Sequence, residues 1–260
     1  MAFSTYQDPI EVQPVGEKTI NTSKTLAKCF GYMGIGLLIS AVVAFGIGAL
    51  FANLIFAGYE FNGEFTDSNI VAANAYIAIM AVSFIALMID SFVMNAVFIR
   101  GKHSIWPAYI IYASLMGVFL SSFLLLGIDF ATIGTAALVS AAVFGILFAV
   151  GYFSKRNLGF LAYIGISIVS VIGLFGLFGL VLFLILPGAA LVYSLVYTLA
   201  LAILLLIVIA WDAWSVRKTI ERGAVNDNMA LYLAFHMYCD FVALFVRILY
   251  YIVVSASDNR

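Results

Sequence analysis

Five ionisable side chains lie inside long apolar stretches of this 260-residue sequence, namely Asp90, Asp212, His236, Asp240 and Arg247. A charged side chain at bilayer depth costs about 2.5–3.5 kcal/mol on insertion scales, so such residues face a bundle interior, a partner or water. Carboxylates and an imidazole in that setting can take up protons or contact a cation, whereas a buried ion pair can fix helix packing. These side chains are therefore the candidate functional residues.

The last apolar stretch carries its polar residues on one side of the predicted helix. Because successive residues of an α-helix are rotated by about 100°, these polar residues all fall within an arc of roughly 100° around the helix axis. The members of this stripe are Tyr232, His236, Asp240, Ala243, Arg247, Tyr250 and Tyr251. His236 and Asp240 are four residues apart and can touch, whereas Arg247 lies about 10 Å further along the helix. The stripe predicts either a hydrated path with a titratable gate or a buried ion pair that fixes packing.

The other two carboxylates occupy different depths. Asp90 lies about ten residues before Arg100, where it could pair with Arg247 or serve as a packing contact. Asp212 lies beside tryptophans and basic residues at the end of its stretch, where a carboxylate costs little. The apolar centres of the last two stretches place Asp212 roughly 18 Å from mid-membrane and Asp240 about 3 Å from it. Contact between Asp212 and Asp240 therefore requires a shifted or tilted helix, or a water-filled vestibule.

The composition identifies the class of protein that must position these residues. Hydrophobic residues make up 65% and charged residues 10% of the sequence, and the mean hydropathy is +1.15. Soluble domains have about 45–50% apolar and about 25% charged residues. We therefore predict an integral membrane protein surrounded by a lipid bilayer. The net charge of −1 argues against a nucleic-acid partner, which requires a basic face.

Seven apolar runs, each long enough for a spanning helix, follow a polar N-terminal stretch. They cover roughly residues 26–57, 70–99, 105–127, 131–153, 160–186, 189–211 and 229–255. The predicted fold is all-α: a polytopic membrane protein with a seven-transmembrane helix bundle over residues 26–260 and a cytoplasmic tail over residues 1–25. Six spans with a re-entrant last run are the alternative.

Basic residues set the predicted orientation. With seven spans, ten of them fall on one side of the membrane and only Arg260 falls on the other. The ten are Lys18, Lys24, Lys28, Arg100, Lys102, Lys155, Arg156, Arg217, Lys218 and Arg222. Because loops rich in lysine and arginine stay in the cytoplasm, we predict a cytoplasmic N-terminus and a C-terminus outside.

Several segments, taken together, resemble one family of membrane proteins. They are residues 107–113 (PAYIIYA) with Gly117, residues 151–158 (GYFSKRNL), Trp211-Asp212 ahead of a basic loop, and residues 238–245 (YCDFVALF). The pattern is similar to that of the Bax inhibitor-1 family, the transmembrane BAX inhibitor motif proteins, from Cys29 onward. The short N-terminal tail favours a bacterial-type member and a bacterial inner membrane, with the endoplasmic reticulum or Golgi as the alternative.

The resemblance implies a seven-helix fold with the last helix surrounded by the others, and a pH-sensitive calcium leak. By motif position, Asp212 and Asp240 would form the pH sensor and a weak, transient calcium site. Arg100 would be a latch for that pair, and Asp90 would be the family's carboxylate in the second helix. The sequence departs from the family pattern at Trp211, where the family has a tyrosine.

The implied mechanism is a proton-controlled leak. A proton shared by the two carboxylates would close the path, and its loss at higher pH would open the path by repulsion. Calcium binds six to eight oxygens, so two aspartates would hold it only weakly. Because no nucleotide-binding motif is present to power transport, we expect passive calcium flux without a cofactor and without enzymatic activity.

Two other functions fit the same residues. One is a proton-coupled transporter of a small solute, and the other is a regulator that binds another membrane protein, such as a protease or a cell-death partner. An intramembrane aspartyl protease requires Gly-x-Gly-Asp, whereas this chain has Tyr238-Cys239-Asp240. A zinc site is disfavoured because His236 and Cys239 have no further ligands nearby in the sequence. Conduction by the purified protein alone distinguishes a channel from a regulator.

Overall fold

The computed structural model describes residues 15–56, 66–100, 104–155, 158–160, 190–222 and 225–258. The regular elements of these residues are α-helices, which confirms the all-α prediction for this part of the chain. The helices are α1 (Val15–Phe56), α2 (Asp67–Arg100), α3 (Trp106–Leu120), α4 (Ser122–Leu125), α5 (Phe130–Phe153), α6 (Ala190–Glu221) and α7 (Asp227–Asp258).

Six helical segments of the described part are long and apolar enough to cross a membrane. They are α1 from Thr22, α2, α3 together with α4, α5, α6 from Tyr197, and α7 as far as Ser255. The predicted run at residues 160–186 lies outside the described residues except for Phe160, so the count of seven spans stays a prediction. The last run is one continuous helix of 32 residues, about 48 Å long, and does not fold back within that range.

The first helix is longer than its apolar run. It begins at Val15, inside the segment predicted as a tail, and continues into the apolar residues that start near Leu26. The sequence between these two positions contains no proline, so every residue there can donate a backbone hydrogen bond.

Large apolar side chains cover the outside of the bundle. Residues such as Leu38, Val42, Ile77, Val82 and Ile146 are exposed although they lie in the middle of long helices. In a soluble protein such helices would turn these side chains inward, because burial of apolar surface drives folding in water. Here the surrounding hydrocarbon accepts them, which supports an integral membrane protein.

The last helix lies inside the bundle. α7 contacts α1, α2, α3, α5 and α6, which are all the other long helices of the described part. Its buried side chains include Leu231, Ala234, Met237, Tyr238 and Leu249. Among the helices that the structure describes, α7 therefore has the contacts expected of a central last helix.

A buried group of polar atoms joins α1, α3 and α7. Ser40 Oγ lies 2.7 Å from the carbonyl oxygen of Ala113 and 2.6 Å from the hydroxyl oxygen of Tyr238. The backbones of α1 and α3 meet at Gly117, where an added Cβ would lie 2.7 Å from the carbonyl oxygen of Ser40. Small residues permit such close approach between membrane helices. The contact between Ser40 and Tyr238 holds α7 against α1.

Candidate functional site

The candidate site lies between α6 and α7, two consecutive helices that meet at one end of the bundle. α6 ends at Glu221 and α7 begins at Asp227. Asn226 caps α7, because its side-chain oxygen accepts a 2.8 Å hydrogen bond from the backbone N–H of Met229. Lys28 of α1 forms a 2.8 Å ion pair with Asp227. These contacts fix where α7 starts and therefore the depth of each residue along it.

The carboxyl groups of Asp212 on α6 and Asp240 on α7 lie within hydrogen-bonding range of each other. Asp240 is 8% exposed, and Asp212 is half-buried. An ionised carboxylate only accepts hydrogen bonds, so a hydrogen bond between two carboxyl groups needs a proton on one of them. The structure places the two aspartates named from the sequence beside each other, and a proton shared between them stays a prediction.

The contact depends on the short connection between the two helices. Asp212 lies nine residues before the end of α6, about 14 Å, and Asp240 lies thirteen residues after the start of α7, about 20 Å. Measured from the shared end of the bundle, the two depths differ by only about 6 Å, which side chains and helix tilt can bridge. The apolar centres of the two runs misled the depth comparison, because α6 continues ten residues beyond the end of its apolar run at residue 211, as far as Glu221.

Tyr232 and His236 lie beside the aspartates on α7. Both are half-buried, and both lie close enough to Asp212 to interact with it electrostatically. Their rings meet edge to face with centroids 4.7 Å apart. The four-residue spacing predicts that His236 reaches Asp240 on its own helix, and the structure also sets it close to Asp212 across the helix interface. The imidazole adds a polar ring next to the two carboxyl groups.

The end of α2 reaches this site through two side chains. The Tyr232 hydroxyl donates a 2.7 Å hydrogen bond to Oδ1 of Asn95. The ring of Phe98 stacks on the ring of Tyr232, with centroids 3.9 Å apart and planes 4° from parallel. Sequence reasoning missed Phe98, because an aromatic residue in an apolar run carries no signal of its own. Asn95 does carry a signal, as an amide inside a membrane run.

Arg100, the predicted latch, is the last residue of α2 and is exposed. In the ranges that the structure covers, it forms no salt bridge with Asp212 or Asp240. The latch role of Arg100 therefore stays a prediction.

Asp90, the predicted carboxylate of the second helix, is buried, and its Oδ2 atom has no hydrogen-bond partner among the described residues. The pairing with Arg247 that the sequence allows is not formed. Because Tyr232 is level with Asn95 and the helices run in opposite directions, Asp90 is level with about residue 237. Arg247 lies about 15 Å beyond that level.

The residues of the polar stripe on α7 become more exposed towards the end of the helix. Asp240 is buried, and Tyr232 and His236 are half-buried, whereas Tyr250 is 38% exposed. Arg247 lies between these regions and is half-buried. The half of the stripe next to the aspartates is therefore the enclosed half.

Arg217 lies near Asp212 in the sequence but is engaged elsewhere. Its Nη1 donates to the carbonyl oxygens of Tyr152 at 3.0 Å and Ser154 at 2.9 Å, and its Nε donates to Glu221 at 2.6 Å. The guanidinium thus satisfies carbonyl groups at the end of α5, where a cation is favoured. Asp212 is consequently set towards Asp240 rather than paired with this neighbouring arginine.

A second polar link lies one residue from Asp240. The Tyr112 side chain on α3 lies near Cys239 and near Ser91 of α2. Sequence reasoning missed this link, because serine, tyrosine and cysteine are common in membrane helices. Together with the hydrogen bond between Tyr232 and Asn95, it places polar side chains of α2 and α7 close to each other beside the aspartate pair.

The described residues contain no group of three or more histidine, cysteine, aspartate or glutamate side chains placed to hold a metal ion. The two aspartates offer four carboxylate oxygens, whereas calcium takes six to eight oxygen ligands. Any calcium ion at this pair would keep several water ligands.

Comparison with known proteins places the chain in a family. The sequence profile of the family described as Inhibitor of apoptosis-promoting Bax1 matches residues 22–257. The chain is also 29% identical over 230 residues to the uncharacterized protein YrjE of Lactococcus lactis subsp. lactis (strain IL1403), covering 86% of this chain and 87% of that protein. No solved structure matches the chain significantly. With a match over nearly its whole length, the chain belongs to the Bax inhibitor-1 family of integral membrane proteins.

Proposed function

We propose that this protein is a passive, proton-gated path for calcium across the membrane, with Asp212 and Asp240 as its gate. The observation that carries the proposal is the contact between the two carboxyl groups, on consecutive helices inside the bundle. A shared proton joins α6 to α7 and keeps the path closed. Loss of that proton leaves two negative charges side by side, which repel each other.

The size of this repulsion is sufficient for a gate. Two unit charges 4 Å apart interact with about 4 kcal/mol at an effective dielectric constant of 20. Since 1.4 kcal/mol is a factor of ten in an equilibrium constant, deprotonation can shift a closed–open equilibrium by roughly a thousandfold.

The gate opens at the end of the bundle where α6 meets α7. The stacked rings of Phe98 and Tyr232 and the hydrogen bond to Asn95 join α2 to α7 at that end. When Asp212 and Asp240 separate, α7 moves away from α6, and this movement strains the contacts between α2 and α7. The sequence predicts that this end faces the cytoplasm.

Calcium interacts with the open pair only briefly. Two ionised aspartates attract a divalent cation, but they supply too few oxygens to remove its water shell. Weak binding of this kind suits conduction, because an ion that binds tightly does not leave.

The test is calcium flux into liposomes that contain the purified full-length protein, measured from pH 6 to pH 8. Wild-type flux is expected to rise with pH. In Asp240→Asn the amide can donate a hydrogen bond to Asp212 at every pH, so flux stays low and independent of pH. Asp129→Asn is the matched control: Asp129 is an exposed helix cap outside the pair, and asparagine caps a helix as well as aspartate.

Wild-type flux no greater than that of empty liposomes at every pH would contradict the channel. Flux that rises equally with pH in wild type and Asp240→Asn would contradict the gate while leaving the channel intact. A proton-coupled solute transporter would instead conduct only along the gradient of its substrate.

A further inference from the structure

A cavity of about 510 Å³ lies between α1, the α3–α4 segment, α5 and α7. Phe241 and Val242, the two residues after Asp240, form part of its wall. Among the described lining residues, Ser40 alone has a polar side chain, and its hydroxyl is already engaged with Ala113 and Tyr238. The cavity therefore offers hydrophobic contact and no free polar group for water.

The cavity has exposed wall residues on α1 and α5, including Phe45 and Phe130, so its side between these two helices is the one that lipid can reach. Two aromatic pairs bridge these helices, Phe45 with Phe130 at 5.5 Å and Phe30 with Phe148 at 5.0 Å between ring centroids. Small residues of the cavity wall lie between the two bridges, and they leave a lateral gap.

Two of these small residues are Ala41 on α1 and Gly134 on α5, and both are exposed. Both also lie within membrane-spanning segments. The gap beside them therefore faces the hydrocarbon of the bilayer rather than water.

We propose that an acyl chain of a membrane phospholipid enters between α1 and α5 and occupies this cavity. An apolar cavity of about 150 Å³ in a soluble protein stays dry and binds benzene. The cavity here is more than three times larger, and the free-energy cost of an empty cavity rises with its volume. Acyl chains are the apolar molecules that surround the opening at high concentration.

The bound chain would touch the part of α7 that carries the candidate gate. Ser40 lines the cavity and its hydroxyl lies 2.6 Å from that of Tyr238, two residues before Asp240. Phe241 contributes to the opposite wall. Binding of the chain can be measured whether or not the protein conducts calcium, so a failure of one does not imply a failure of the other.

The test uses the full-length protein in liposomes that contain phosphatidylcholine with a photoreactive diazirine on one acyl chain. After illumination and digestion, mass spectrometry locates the labelled residues. Lipid outside the bundle cannot reach Val242, which is 3% exposed and lines the cavity. We expect labels on Val242 itself, in addition to labels on outward-facing residues such as Leu38.

Gly134→Leu should block this interior labelling. A Cβ at residue 134 meets no atom within 4 Å, and residue 134 lines the cavity, so a leucine there is expected to occupy part of the cavity. Interior labelling is expected to fall at least fivefold. Gly145→Leu is the matched control, because residue 145 lies on the same helix, also has open space and does not line the cavity.

Ala44→Leu fills the cavity from the α1 side and should give the same loss as Gly134→Leu. Labels confined to outward-facing residues in the wild type would overturn the proposal. Interior labels that persist in both cavity-filling variants, with the proteins folded as judged by thermal unfolding, would also overturn it.

Discussion

The Tyr232 hydroxyl on α7 donates a 2.7 Å hydrogen bond to Oδ1 of Asn95 on α2, and this contact sets the register of the two helices. Tyr232 also lies close enough to Asp212 to interact with it electrostatically, and its ring stacks on the ring of Phe98. The tyrosine thus connects α2 to the aspartate pair. We expect a change in the distance between α6 and α7 to affect α2 through this side chain.

Removal of the Tyr232 hydroxyl should loosen the closed state. Tyr232→Phe keeps the stacked ring but loses the hydrogen bond, which contributes about 0.5–1.5 kcal/mol. If the bond is made only in the closed state, calcium flux at pH 6 in liposomes should rise about two- to tenfold.

Tyr250→Phe is the control for this change, because Tyr250 lies on the same helix, is exposed and is remote from the aspartates. A pH 6 flux in Tyr232→Phe equal to that of Tyr250→Phe would show that the contact with Asn95 does not restrain the gate.

Two glycines of α5 should respond oppositely to the same substitution. At Gly151 an added Cβ would overlap the carbonyl oxygen of Ala210 on α6, two residues from Asp212. Gly151→Ala should therefore destabilise the protein by about 1–3 kcal/mol. At Gly145 a Cβ meets nothing within 4 Å, so Gly145→Ala should be neutral or slightly stabilising.

Thermal unfolding of the two purified variants in one detergent measures this difference. A melting temperature of Gly151→Ala equal to or above that of Gly145→Ala would mean that α5 and α6 do not pack as closely as described.

Asp129 gives a prediction about acid stability. Its carboxylate caps α5 by accepting from the backbone N–H and the hydroxyl of Thr132, and these hydrogen bonds hold its pKa below the ordinary value. Because the pKa is lowered in the folded state, the stabilisation is present above the unfolded pKa of about 3.9 and is lost as pH falls through the lower, folded value.

The melting temperature of Asp129→Ala should be about 2–4 °C below that of the wild type at pH 7. The difference should shrink below about pH 4. A difference that stays constant down to pH 3, or grows there, would contradict the role of the ionised carboxylate.

The sequence predicts which segments are helices and which residues are candidates for the site. It predicts less well how deep each of these residues lies in the membrane. Apolar runs indicate membrane helices directly, because the bilayer requires about 20 apolar residues for each span. The central position of the last helix was implied by the family resemblance, and the charges that α7 carries agree with it, since these must avoid lipid.

Contacts between helices depend on register, which a single sequence does not contain. Asp212 and Asp240 come to similar depths because α6 continues to Glu221 and α7 begins shortly afterwards at Asp227, whereas hydropathy alone placed the two aspartates about 15 Å apart in depth. The same limitation made Arg247 a plausible partner for Asp90. Phe98 and Tyr112 were missed because their polar and aromatic contacts are made across helices.

The central claim is that Asp212 and Asp240 act as one proton-sharing unit. The most direct test is the pH profile of calcium flux, from pH 6 to pH 8, for wild type, Asp212→Asn, Asp240→Asn and the double variant. Each single variant should abolish the rise of flux with pH as fully as the double variant does, because either change removes the repelling pair. If each single variant kept part of the rise and only the double variant removed it, the two aspartates would be independent sites, which contradicts a shared proton.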